Sequence, residues 1–190
     1  MMERIGVILV SVREGRRGEA IAKWIHRLAE SKCTAELVDL RDWPLQAYAL
    51  KAMPTAAEAA YAADSLEGRW RDLVRGLDGF VIVTPEYNRG YPGHLKNAID
   101  ALYPSWSHKP VGFVTYGGFA GGARAAEQLA LVAIETRMVP IRDQVNVKTI
   151  GLATDEHGAP SEEIYSRRAG ALLDELVWFT RVLREARAAR

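Results

Sequence analysis

Apolar positions along this chain follow two alternating patterns. Ile5-Gly6-Val7-Ile8-Leu9-Val10 and Gly79-Phe80-Val81-Ile82-Val83 are continuous apolar runs rich in β-branched residues. Such a run suits a strand covered on both faces, as in a parallel sheet. Elsewhere apolar residues recur three and four apart: Ile21, Trp24, Ile25 and Leu28; Leu66, Trp70, Leu73 and Leu77; Leu95, Ala98, Ile99 and Leu102. That spacing predicts helices with one buried face. Lys109–Thr115 and Met138–Val147 read as further strands, and Thr34–Leu40, mixed in polarity, reads as an edge strand. A last helix is predicted from Ser161, with Ser161 as its cap and Glu162 and Glu163 in the positive first turn. Tyr165, Ala169, Leu172, Leu176, Phe179 and Leu183 give it one apolar stripe, and Arg181, Arg184, Arg187 and Arg190 collect at its negative end. Strands alternating with helices through right-handed crossovers predict an α/β chain with a doubly wound parallel sheet.

The connections carry the candidate chemistry. Pro85 biases Thr84 towards extended backbone and removes a ladder donor, so the chain leaves the sheet there. Pro92 and Gly93 open the next helix, with Pro at an early helical position. Glu86–Tyr91 then forms a loop at the carboxyl end of a strand, where open α/β sheets bind ligands. The first strand runs into Ser11-Val12-Arg13-Glu14-Gly15-Arg16-Arg17-Gly18 and then a helix. Free N–H groups at a helix start, the Ser11 hydroxyl and paired donors on Arg13 and Arg16 suit an anion. The same residues also suit a solvated basic turn. After the fourth strand comes the glycine-dense Tyr116-Gly117-Gly118-Phe119-Ala120-Gly121-Gly122-Ala123-Arg124. Adjacent glycines either admit a flat ligand close to the backbone or supply positive φ for a turn. No G-x-G-x-x-G follows the first strand, which disfavours a dinucleotide-binding unit there.

Thr84-Pro85-Glu86-Tyr87-Asn88, followed by Pro92-Gly93 and Leu95-Lys96-Asn97-Ala98-Ile99-Asp100, resembles the signature of the NADPH-dependent FMN reductases. Ser11-x-Arg13-x-Gly15-Arg16-x-Gly18, with Ala22 and Trp24 after it, is similar to the phosphate loop of one branch of that family, and Gly121, Gly122 and Arg124 are similar to its helix start. The sequence departs from the family at Val10, where many members have glycine, and at Arg89-Gly90, where Gly-Ser is common. The resemblance implies one flavodoxin-like domain over residues 1–190, a three-layer α/β/α sandwich on a five-stranded parallel sheet of order 2-1-3-4-5. It implies FMN with its phosphate on Ser11, Arg13, Arg16 and Gly18, and its ring along Pro85, Glu86, Tyr87, Asn88, Tyr116, Gly117 and Gly118. The backbone N–H groups of Glu86, Tyr87 and Asn88 are expected to face the ring.

NADPH or NADH would be the reductant, and a quinone, free flavin, azo compound or metal oxyanion the acceptor. Hydride transfer to a flavin needs proximity and orientation more than a protein acid or base, so no catalytic side chain is named. Family members commonly form dimers or tetramers; Tyr103 and Trp106 are candidate contacts or simply buried. Arg89 at the pocket rim either holds a nucleotide phosphate or is solvated.

Composition narrows the alternatives. A length of 190 residues suits one domain, and 48% apolar residues suffice for an ordinary core. A net charge of +1 implies no nucleic-acid partner. It also weighs against a flavodoxin-type electron carrier, since such carriers tend to be strongly acidic. That carrier and a flavin-free structural protein are the two rival readings. His26, His94, His108 and His157 show no ligand-like spacing, and no metal site is expected. Cys33, the single cysteine, rules out an internal disulfide and reads as a packed small residue. With no signal-peptide pattern and no apolar run long enough for a membrane, a cytoplasmic protein is expected. From Trp43 to about Ala63 the pattern fails: Pro44 and Pro54 break it, and Tyr48, Leu50 and Met53 are aperiodic. That stretch is a lid or partner surface, or an ordered excursion. Gly151–Pro160 reads as a polar loop.

Overall fold

Side-chain alternation along the strands divides the apolar residues between two helical layers. In β1 (Arg4–Leu9), Ile5, Val7 and Leu9 face one layer while Ile8 faces the other. In β3 (Gly79–Pro85), Val81 and Val83 share the first side, and Phe80 and Ile82 the second. With β2 (Thr34–Asp39), β4 (Pro110–Gly117) and β5 (Val139–Lys148), these strands form one sheet of order β2-β1-β3-β4-β5. Every neighbouring pair is parallel. The computed structural model describes residues 2–148, 155 and 160–189.

The helices cover both faces. On one side α1 (Gly18–Glu30) and α6 (Glu163–Ala188) bury Ile21, Ile25, Leu172 and Leu176. On the other, α3 (Leu66–Gly76), α4 (Gly93–Asp100) and α5 (Ala123–Glu135) bury Trp70, Leu95, Ile99 and Leu129. Each such side chain withdrawn from water contributes roughly 1.5–3 kcal/mol. The expected three-layer sandwich and strand order are the ones that form. Because β2 and β3 lie on opposite sides of β1, the loops after β1 and β3 leave the sheet side by side. Val10 N–H donates to Val83 O there at 3.0 Å.

Several local expectations change. Trp106 is 1% exposed, donates through Nε1 to Ile99 O at 3.0 Å and packs edge-on against Trp70 and Phe80. It belongs to the core and is no subunit contact. Tyr103 is half-buried and its hydroxyl donates to Glu135 O at 2.7 Å. α6 begins at Glu163, with Glu162 at the N-cap position and no side-chain cap, so Ser161 does not cap it. Pro92 stands at the N-cap of α4, and Pro85 stays in β3 as its last residue. The loop expected at Gly151–Pro160 falls largely outside the described residues, as does Arg190. Cys33 is packed as expected: its thiol donates to Ala29 O at 3.4 Å, and burial pushes it up to about 11. Among the described residues no helix is long and apolar enough to cross a membrane.

The stretch after Trp43 is an ordered excursion. It contains a short helix, α2 (Pro54–Ala60), opened by Pro54. The Glu58 side chain is fully buried, yet its carboxylate accepts from Tyr103 N–H at 2.7 Å, from Arg75 at 3.3 Å and from the Ser105 hydroxyl. Such donors offset the cost of burying a charge. Asn97 Nδ2 donates to Leu45 O at 3.3 Å and the Tyr61 hydroxyl to Ala101 O at 2.9 Å, fastening the excursion to α4.

Candidate functional site

The loop after β1 takes its shape from two arginines. Arg16 turns back, donating to Ser11 O at 2.8 Å and to Asp39 Oδ1 at 2.7 Å, with its other terminal nitrogen on Asp39 Oδ2 and Glu19. Its side chain is only 5% exposed. Arg41 holds the outer turn through the carbonyls of Val12, at 3.2 Å, and Arg13. Asp39 also accepts from Arg41 N–H at 3.0 Å. Burial alone would raise the Asp39 carboxyl, but the Arg16 and Arg41 bonds hold it below the usual carboxylate range. The hydrogen bond that Arg16 donates to Asp39, opposed by burial, raises Arg16 in turn.

Arg16 therefore does not present the open fork expected for a phosphate. Both terminal nitrogens are taken by protein acceptors. Its Nε–H is the single buried side-chain polar atom without a hydrogen-bond partner among the described residues. Arg13 is exposed, and its guanidinium has no partner among the described residues. At the start of α1, Arg17 occupies the N-cap with no side-chain cap. The first N–H groups of the helix are thus left for something else to satisfy. Gly18 has no room for a Cβ, which would overlap the Tyr116 hydroxyl.

Backbone geometry shapes the other two loops. Tyr87 N–H donates to Gly90 O at 2.8 Å and Gly90 N–H to Tyr87 O at 3.0 Å, with Asn88 and Arg89 between them at φ 50° and 70°. This is a two-residue hairpin with both central residues left-handed. Its tip is held by Gln128 Nε2, which donates to Arg89 O at 2.9 Å. Glu86 N–H donates to Tyr116 O at 3.0 Å. Two of the three N–H groups expected to face a ring are therefore already engaged, because one extends the β4 pairing and the other closes the hairpin. The Asn88 N–H is left.

The Glu86 carboxylate accepts from Arg124 at 2.8 Å and from Arg124 N–H in the first turn of α5 at 3.3 Å. It joins the loop after β3 to the loop after β4 and occupies the positive end of α5. Gly122 lies at φ 86°, and a Cβ on it would come 2.6 Å from Thr115 Cβ. Gly118 differs, since a Cβ there meets nothing within 4 Å. Its peptide borders open space at the carboxyl end of β4.

Two tyrosines connect the halves. Ser11 Oγ lies 3.3 Å from the Tyr87 hydroxyl, and the Tyr116 hydroxyl packs on Gly18. Burial raises the Tyr116 hydroxyl, with a hydrogen bond to Ser11 opposing, so it stays neutral. Ser11, Gly18, Tyr87 and Tyr116 meet in one place, Gly117 and Pro85 adjoin them on paired strands, and Arg13, Asn88 and Gly118 border solvent. An uncapped helix start, an orphaned buried donor and an open glycine peptide along one strand-end ledge fit a phosphate at one end and a planar ring at the other.

A family model described as NADPH-dependent FMN reductase matches residues 3–151. The chain belongs to that family. An NAD(P)H-dependent FMN reductase of Schizosaccharomyces pombe is 41% identical over 141 residues, covering 72% of this chain and 70% of the relative. A quinone reductase of Pseudomonas putida is 33% identical over 141 residues, covering 69% and 70%. Among solved structures, the flavoenzyme NAD(P)H:(acceptor) oxidoreductase FerB of Paracoccus denitrificans superposes with a TM-score of 0.77 at 24% identity, over 94% of this chain and 97% of that one. That likeness is one of fold.

Within this FMN reductase chain, sequence reasoning missed Asp39 and Arg41. A signal existed. In the order 2-1-3 the end of β2 must adjoin the loop after β1, and Leu9 does pair with Asp39.

Proposed function

We propose that this member of the FMN reductase family is an FMN-dependent oxidoreductase that passes hydride from NAD(P)H to a small acceptor of the quinone or flavin class. The observation that carries the reading is the strand-end ledge, in which an uncapped α1 start and the open Gly118 peptide are joined through Tyr87 and Tyr116. When bound there, FMN supplies the two-electron chemistry. The chain's residues bind and orient it. Ser11, Arg13, the Arg16 Nε–H and the N–H groups from Gly18 onward hold the phosphate, and Pro85–Asn88 with Tyr116–Gly118 fix the ring. The ion pairs and backbone bonds above set these loops beforehand, so little order is lost on binding. No side chain need carry a proton in the hydride step.

The chain acts as one domain, in the cytoplasm, and as a homodimer or homotetramer. The exposed Leu131 and Ile134 on α5, together with the exposed Leu50 and Met53 of the excursion, support self-association. The test is direct. FMN-loaded protein oxidises NADPH in the presence of a benzoquinone with no second protein added. If oxidation requires a separate reductase, the chain is an electron carrier, and if no FMN is taken up, the reading fails.

A further inference from the structure

Beyond the glycine-dense loop lies a cleft that the flavin ledge does not use. It encloses about 800 Å³ between the start of α5, the end of β5 and the first turns of α6, and is lined among others by Phe119, Arg124, Asn146, Lys148, Glu162 and Arg168. Asn146 and Arg168 also line an adjoining hollow of about 530 Å³ that reaches Arg142 along the β5 edge. The two form one trough, starting at the loop that carries Gly118 and leading away from it.

Its charges are unevenly committed. Arg124 is occupied by Glu86 at 2.8 Å. Lys148 and Arg168 are exposed, and among the described residues their side chains have no hydrogen-bond or ion-pair partner. Of the two carboxylates along the trough, Asp143 lies 3.5 Å from Arg142, and Glu162, as an acceptor, suits a ribose hydroxyl. Phe119 is 91% exposed at the mouth, where its ring has a free face. Unpaired cations beside an open aromatic face match an extended polyanion carrying a flat base.

We propose that this trough holds the phosphates of the pyridine nucleotide, with Lys148 and Arg168 supplying the charge and Phe119 a stacking surface. The proposal rests on the FMN reductase reading, because the trough begins where the ring would end.

The test is calorimetric titration of FMN-loaded protein with NADP⁺ and NAD⁺, alongside FMN affinity measured separately. Wild-type uptake of FMN checks the reading itself. The Lys148→Ala/Arg168→Ala double variant should bind NADP⁺ at least tenfold more weakly while its FMN affinity stays within twofold. Loss confined to NADP⁺ places the 2′-phosphate in the trough, and equal loss with NAD⁺ places the pyrophosphate there. Unchanged NADP⁺ affinity in the double variant overturns the proposal. So does a comparable loss from Arg89→Ala alone, which would put the nucleotide over the hairpin instead.

Discussion

The two ends of the proposed flavin ledge are held in shape by different means. The Ser11–Gly18 loop is tied by long charged side chains, Arg16 to Asp39 and Ser11 O, and Arg41 to the carbonyls of Val12 and Arg13. The loops after β3 and β4 are shaped mainly by main-chain bonds and by glycines with no room for a Cβ, with the Glu86–Arg124 pair between them. The first design makes the anion end sensitive to protonation and to single side chains. The second builds the ring end into the sheet beneath it, with the Glu86–Arg124 pair as its one charged tie among the described residues.

That contrast can be broken at three points. The largest effect is expected from Gly122→Ala. Its Cβ would meet Thr115 at 2.6 Å and the residue would keep φ near 86°, costing about 4 kcal/mol of overall stability. Urea denaturation measures it. A loss below about 1 kcal/mol would mean the ring end is softer than described.

Next is Asp39→Ala, which strands the largely buried Arg16 charge and should cost about 2–3 kcal/mol. FMN affinity should fall with it. The pH dependence follows from the lowered carboxyl. Asp39 contributes its stabilisation above the unfolded value of about 3.9, and loses it as pH falls through the lower folded value. Acid titration of wild type should therefore show a stability slope below about pH 4 that is smaller in the variant.

The smallest effect on stability, and the sharpest on binding, should come from Gly118→Ala. The fold has space for that methyl, so the melting temperature should move by less than about 2 °C, whereas a ring lying on the peptide would lose roughly tenfold in affinity. Equal FMN affinity in this variant would place the ring elsewhere.

The sheet and its main helices were legible because their residues obey periodic rules. Ile5, Val7 and Leu9 against Ile8, and Ile21 and Ile25 at helical spacing, declare strand and helix without reference to anything distant. Strand order then followed from family resemblance and crossover handedness. The unread parts depend on contacts across the fold. α2 has no apolar stripe, and its position rests on Glu58 meeting the Tyr103 and Ser105 donors. Trp106 could not be told from a surface aromatic until Trp70 and Phe80 closed on it. The Arg16 guanidinium read as an open fork because its acceptor, Asp39, lies 23 residues away. The Glu86 and Tyr87 N–H groups looked available because their acceptors, Tyr116 O and Gly90 O, depend on strand pairing and a left-handed hairpin.

The inward carboxylate of Glu58 has a bearing on how substrates enter. Swinging residues 43–62 aside would drag an anion out of its cage and strip two amide donors of their acceptor, so that segment travels with the body as a fixed wall. The small Tyr87–Gly90 arch, by contrast, is moored at its crest by one glutamine amide. Residues at that crest, far more than any hinge in the long excursion, would decide how bulky a molecule can reach the reactive face.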